Sequence, residues 1–252
     1  TDRNLRGQLC GFDQYVCDKE AGPDDLRPSF FLDFKNSLKE KQRIFNAILL
    51  AVRGFFNYLV RLQIIDENPV IDICSYRPNA FIPFIFSPDQ VDKLLVIIQR
   101  AIRKDPICFF KDYSVYMAIL LLVRCGMRIS EPLRLKPEHY RSNEGTTYIE
   151  KTKFSKDRLI TAPKTVISEM NNYLAMRKAF IQGQTPYLLP GQNGHTLSTK
   201  RIYKVFGRAV KDIGIDQPRR VIANTTFGNP RPHSLRHSFA INTLKRIKQQ
   251  GK

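Results

Sequence analysis

The run from Tyr113 to Arg124 restricts the folds open to this chain more than any other segment, because Val115, Met117, Ala118, Ile119, Leu120, Leu121, Leu122 and Val123 leave it almost no polar face. A helix that is apolar all round has to be surrounded all round, so this run predicts the central helix of a multi-helix domain. It ends at Cys125-Gly126, and glycine suits the left-handed residue that closes a helix. Apolar runs such as Met117 to Val123 fall far short of the roughly 20 residues that cross a bilayer, so no membrane span is expected.

The flanking patterns give the rest of the frame. Between Leu38 and Ile65, Ile44, Phe45, Ile48, Leu49, Val52, Phe55, Phe56 and Leu59 recur at helical spacing among Lys39, Lys41, Arg43, Arg53 and Arg61, which predicts an amphipathic helix with basic edges. Phe30, Phe31, Leu32 and Phe34 begin a helix before it. Prolines at 78, 83 and 88 then interrupt any continuous helix. The division expected is a helical unit over residues 1–77, a linker over 78–87 and a second domain over 88–252. Ser87-Pro88-Asp89-Gln90 reads as a capping box that starts a helix. Residues Thr146 to Ala162 alternate on both sides of the polar turn Lys153-Phe154-Ser155-Lys156-Asp157, as a hairpin does. Further helices are expected at 165–181, at 198–213 and from Pro232 onward. The fold class is therefore mainly α with a small β-hairpin or sheet, an α+β chain in two domains.

Forty-one Lys plus Arg against 23 Asp plus Glu leave a net charge of +18, an excess suited to a polyanionic partner, nucleic acid first among them. Cys10, Cys17, Cys74, Cys108 and Cys125 form an odd set without a Cys-x-x-Cys pair, so neither a disulfide framework nor a zinc ribbon is indicated. Each cysteine is expected to be a small buried hydrophobe in a reduced, cytoplasmic setting. No acidic cluster of metal-ligand character is visible, so no metal and no cofactor is expected. The start at Thr1, without a charged-then-apolar leader, reads as a fragment with no secretory signal.

Three segments carry chemistry. In Gly126-Met127-Arg128-Ile129-Ser130-Glu131, Arg128 falls in a tight turn between the buried helix and a new helix capped by Ser130, and a guanidinium held rigidly is what bidentate phosphate recognition requires. Lys153, Lys156 and Arg158 surround the hairpin turn, where an ammonium can protonate a leaving alkoxide. In Pro232-His233-Ser234-Leu235-Arg236-His237, His233 and Arg236 share a face at a helix start, which already favours phosphate oxygens. His237 is expected to point away from that face, and His139 and His195 to be packing residues. Taken singly, each motif is equally a solvated turn, a soluble hairpin or a helix start. The segment 198–213 adds Lys200, Arg201, Lys204 and Arg208 opposite an apolar stripe, which reads as a solvated basic face or as a DNA-facing one.

The order and spacing of these three segments resemble the tyrosine recombinases, or phage integrases, over roughly Ser87 to Leu244, and the preceding helical unit looks like that family's core-binding domain. The resemblance implies a two-domain clamp on duplex DNA, a homotetramer on its recombination site, and cutting and rejoining through a 3′-phosphotyrosyl link without metal. It implies Arg128 and Arg236 as the phosphate clamp, Lys153 as general acid, His233 as proton relay and Glu131 as a buried support. Lys156, Arg158, Lys200, Arg201, Lys204 and Arg208 are the DNA-binding set. The family pattern continues with a Gly-His pair and a tyrosine nucleophile, and neither follows Arg236 up to Lys252. The nucleophile is therefore expected to have been removed, left out, or supplied by another subunit. A type IB topoisomerase-like enzyme and a non-catalytic DNA-binding relative stay open beside it.

The charge excess makes the first prediction. Affinity for duplex DNA should fall about 10³- to 10⁵-fold between 50 and 200 mM salt if about 6–10 phosphates are contacted. Fluorescence anisotropy over a salt series checks it, and a flat log–log plot removes nucleic acid as partner.

Overall fold

The computed structural model describes residues 2–150, 156–181, 185–191 and 194–251. The chain forms two units, Thr1–Asn79 and Ala80–Lys252.

In the first unit, helices α1 (Asp2–Asp18), α2 (Pro28–Ser37) and α3 (Gln42–Arg61) enclose a core rich in phenylalanine: Phe12, Phe31, Phe34, Phe45 and Phe56. Two polar residues of α3 fix the irregular chain that follows it. Arg53 donates from Nε to the Val70 carbonyl at 3.1 Å and from Nη2 to those of Ile71 and Ile73. The Asn46 side chain donates to the Tyr76 carbonyl at 2.7 Å and accepts from its amide at 2.8 Å. These bonds satisfy backbone groups that a segment without regular structure otherwise leaves to water. By length and composition alone α3 is apolar enough to cross a membrane, a test that core helices pass as well. Its apolar content has a use in the fold, since Phe45, Ile48, Leu49, Ala51, Val52 and Phe56 are buried, while Leu50, Phe55 and Tyr58 stay exposed.

The second unit begins with a short strand, β1 (Ala80–Ile82), inside the stretch expected to be a linker. It pairs in parallel with β6 (Thr225–Phe227), which pairs in antiparallel with β5 (Arg220–Ile222), giving the order β1-β6-β5. Val221, Ile222, Phe81 and Ile82 of this small sheet are exposed. Helix α4 (Pro88–Arg100) starts at the capping box read from the sequence: the Gln90 amide donates to Ser87 Oγ at 3.2 Å and the Ser87 amide to Gln90 Oε1 at 3.0 Å. Helix α5 (Pro106–Arg124) contains the apolar run, and its side chains Val115 to Val123 are all buried. It packs against α4, α6 (Lys164–Phe180), α7 (Thr199–Asp212) and α8 (Pro232–Gln249), which accounts for its lack of a polar face. A second sheet runs in the order β2 (Tyr140–Arg141), β3 (Thr146–Ile149), β4 (Arg158–Thr161), with β3 and β4 antiparallel from Thr146↔Thr161 to Ile149↔Arg158.

Two expectations fail here. The helix expected after Ser130 is only a 3₁₀ turn, Pro132–Arg134, and Pro137, which has no amide hydrogen to donate, keeps the ladder from continuing. Of the cysteines, only Cys125 is buried; Cys10, Cys17 and Cys74 are exposed, Cys10 and Cys17 on α1. All five are free thiols.

The approach of α8 to the end of α5 is close enough to exclude a side chain. Gly126 has φ +60°, and a Cβ there would lie 2.4 Å from the Phe239 ring. Gly126→Ala therefore combines left-handed strain with overpacking and should cost about 2–5 kcal/mol, read as a lower urea midpoint at unchanged slope. An unshifted midpoint would mean that the turn relaxes freely.

Candidate active site

The turn that closes α5 assembles the site from three distant stretches of chain. After Gly126 the backbone folds so that the Glu131 amide donates to the Arg128 carbonyl at 2.9 Å, which brings the Glu131 carboxylate back over the turn. Glu131 is only 7% exposed, and a carboxylate so buried requires partners. Oε2 accepts from the Arg128 amide at 2.8 Å and from Arg158 Nη2 at 2.7 Å, and Oε1 accepts from Arg128 Nη1 at 3.1 Å. Arg158 is the first residue of β4, so one carboxylate joins the α5 turn to the second sheet.

The third stretch is the start of α8. Ser238 Oγ accepts from the Phe86 amide and donates to the Ser234 carbonyl, both at 2.8 Å, while Asn242 donates to the Phe86 carbonyl at 3.1 Å. Anchored in this way, α8 directs Arg236 to the α5 turn, where its Nη1 donates to the Gly126 carbonyl. Burial, then the guanidinium charges of Arg128 and Arg158, lower the Arg236 pKa, with Glu131 opposing. Arginine nevertheless remains charged at any ordinary pH. The turn thus gathers three guanidiniums around one carboxylate.

His233 stands one helical turn before Arg236. Its pKa is lowered by burial first, then by His237, Arg236 and Arg128. A neutral imidazole beside fixed cations can take up a proton once an anion arrives. His237 does not point away from this face: its ring meets that of His233 edge-on, with centroids 4.8 Å apart, because residues four apart in a helix share a face. His139 is buried, accepts from the Lys136 amide at 3.2 Å and faces Glu150, and His195 is exposed.

The remaining expected residues are placed as follows. Lys153 lies outside the described residues. Lys156 is exposed just before β4. On α7, Lys200, Lys204 and Arg208 are exposed opposite the buried Ile202, Phe206, Ala209 and Val210. Arg201 instead donates to Asp112, which also accepts from Arg103 Nε at 2.7 Å. Sequence reasoning missed that Arg158 belongs to the arginine cluster; it pairs with Ile149 at the turn end of the hairpin, and no local pattern shows that its side chain faces Glu131. Among the described residues no group of His, Cys, Asp and Glu is arranged to hold a metal ion.

The depressed His233 pKa fixes a sign. The unfolded chain binds the imidazole proton more readily than the fold, so this contribution to stability is complete above the ordinary value of about 6.5 and is lost as pH falls below it. In an NMR titration His233 should have its midpoint below about 6.5, and Arg236→Gln should move that midpoint upward. A midpoint at or above the ordinary value would place His233 outside the field of the arginines.

A profile of the phage integrase family matches residues 85–247. An integrase/recombinase of Sinorhizobium fredii is 27% identical over 197 residues, which cover 77% of this chain and 61% of the relative. A tyrosine recombinase of Pseudothermotoga lettingae is 27% identical over 243 residues, covering 92% and 75%. The tyrosine recombinase XerC of Yersinia pestis is 26% identical over 197 residues, covering 78% and 58%. The chain thus spans about six tenths of the first and third of these relatives. Among solved structures, a lambda integrase tetramer bound to a Holliday junction superposes with a TM-score of 0.70 at 16% identity, covering 97% of this chain and 64% of that one. XerH recombinase bound to its difH substrate, a pre-cleavage complex, gives 0.66 at 21% identity, covering 89% and 61%. At such identities the likeness is one of fold.

Proposed function

Because this chain belongs to the phage integrase family, we propose that the intact protein is a site-specific recombinase that cuts and rejoins duplex DNA, with Arg128 and Arg236 clamping the scissile phosphate. The observation that carries this proposal is the convergence on one turn of the Arg128 guanidinium and of Arg236, whose Nη1 reaches a carbonyl 110 residues earlier in the chain. A pair of rigidly supported cations beside a neutral histidine suits a phosphodiester, whose negative charge grows as a fifth oxygen approaches phosphorus.

In the reaction proposed, a tyrosine oxygen attacks phosphorus and the bond to the 5′-oxygen breaks. The departing oxygen takes its proton from Lys153, and the phosphate stays linked to tyrosine at its 3′ side. A 5′-hydroxyl then attacks the phosphotyrosyl bond, reforms the diester and returns its proton to Lys153. His233 takes the proton of the tyrosine hydroxyl as it attacks and returns it to the tyrosine oxygen when that group departs. Arg128 and Arg236 neutralise the charge that grows on the phosphoryl oxygens during each attack. No tyrosine occurs between Arg236 and Lys252, and the scheme assigns the nucleophile to no residue of this sequence. Residues 1–77 serve as a core-binding domain, and Lys156, Lys200, Lys204 and Arg208 contact the DNA. The assembly is a homotetramer at the recombination site, in the cytoplasm at the nucleoid; the tetrameric form of the lambda integrase neighbour supports that reading.

In the intact protein, Arg236→Ala should slow cleavage on the order of 10²- to 10³-fold, the usual loss for one oriented donor at a developing oxyanion. Duplex binding should change little, because this is one phosphate contact among many. A nicked suicide substrate that traps the covalent protein–DNA adduct measures the first and gel shift the second. Loss of binding in step with cleavage would make Arg236 structural and remove it from the chemistry.

A further inference from the structure

The sequence reading placed Arg158 with the DNA-binding cations, but its guanidinium is turned inward. Nη2 lies 2.7 Å from Glu131 Oε2, the same oxygen that accepts the Arg128 amide at 2.8 Å. Glu131 is buried, and its other oxygen holds the Arg128 guanidinium at 3.1 Å. We propose that Arg158 is a positioning residue, which orients the Glu131 carboxylate so that this carboxylate in turn fixes both the backbone and the guanidinium of Arg128. The inference rests on the strand-cleavage reading for its functional half, and on the geometry alone for the linkage.

The physical case begins with the freedom of a glutamate. Arg128 alone contacts both Glu131 oxygens from a residue three positions away, across the same small turn, so without an outside partner turn and carboxylate can swing together. Arg158 comes from a different element and provides that outside reference. Its own position is set by the register of β4, where it pairs with Ile149 of β3. Strand β3 is in turn anchored by the buried side chains of Thr146, Thr147 and Ile149. A side chain hung from a paired strand is a stiffer support than one hung from a loop. The charges agree with this arrangement. Two arginines beside one carboxylate leave a net positive site, and Arg236 senses the charges of both Arg128 and Arg158. Replacing Arg158 therefore removes both an orienting hydrogen bond and a partner that keeps the Glu131 carboxylate committed to the turn.

This differs in its consequences from a direct phosphate contact. An arginine on the DNA backbone contributes to affinity and to salt dependence, and its loss lowers the salt slope by about 1. A residue acting through Glu131 leaves both alone and slows only the step in which Arg128 must be oriented.

The test uses the intact protein with Arg158→Gln, Arg158→Lys, Glu131→Gln and the double variant Glu131→Gln/Arg158→Gln. Arg158→Gln should slow adduct formation on a nicked suicide substrate on the order of 10- to 100-fold, the usual loss when a group supporting a ligand-binding side chain is removed. Duplex affinity and its salt slope should stay unchanged. Arg158→Lys, which keeps one donor for Oε2, should recover most of the rate. The double variant should be no slower than the slower single variant, because both substitutions break the same link. Additive losses, or a salt slope reduced by about 1 in Arg158→Gln, overturn the proposal in favour of a direct phosphate contact. Amide hydrogen exchange reads the linkage without any reaction: the Arg128 amide should exchange faster in Arg158→Gln while the α5 amides do not. Unchanged exchange at Arg128 overturns the linkage. Failure of the unmutated protein to form an adduct would overturn the strand-cleavage reading instead, which keeps the two failures distinct.

Discussion

The larger unit depends on how closely the first turns of α8 approach the end of α5. The close approach is possible only because position 126 has no side chain: the Phe239 ring occupies the space where a Cβ would be. The same approach puts the Gly126 carbonyl within reach of Arg236. One residue therefore does two things. Its left-handed φ closes the buried helix, and its bare α-carbon lets a helix from the far end of the chain lie across that closure. The hydrogen bonds from Ser238 and Asn242 to Phe86 tie the same helix to the segment that leads into α4. Position and orientation of Arg236 are thus inherited from packing rather than from local flexibility.

Electrostatics follows from that packing. Arg128, Arg158 and Arg236 are drawn together although they repel, and Glu131 is the buried carboxylate that makes the gathering tolerable. Such a cluster is short of negative charge as it stands. In the reaction proposed above, a phosphate diester would supply it. The arrangement is a charge deficit built into a rigid frame, which is how a fold reserves a place for an anion.

Much of this frame can be read in the sequence because its causes are local. The unbroken apolar run of α5, the Ser87 capping box and the alternation of β3 and β4 each reflect a pattern that a few residues determine. Glu131 and Arg128 are three residues apart, so their pairing is also a local matter. What stayed hidden depends on distant chain. Helix α1 contains Gly7 and Gly11, which weaken its intrinsic tendency, and it owes its form to packing on α3. The β5–β6 hairpin turns at Ala223-Asn224 with Ala223 at φ +49°, without the glycine that marks such turns, so it gave no signal. Strand β1 pairs with a segment more than 140 residues later, and no local pattern foretells a partner at that distance. The inward turn of Arg158 belongs to the same class: alternation showed the strand, but not that its first residue faces a carboxylate on another element.

The small sheet β1-β6-β5 has a consequence for how the protein behaves in solution. Among the described residues its outer strand β5 has no partner on one side, next to exposed Val221 and Ile222. An edge of that kind is a template on which another chain can add a strand, the usual first step towards aggregation. Arg219 and Arg220 stand at its start, and two such edges brought together would set four guanidiniums against one another. The basic character of the chain thus has a colloidal consequence whatever its partner: like charge at the edge sets copies of the chain against one another. Solubility of the free protein should accordingly rest on the repulsion that high salt screens most effectively.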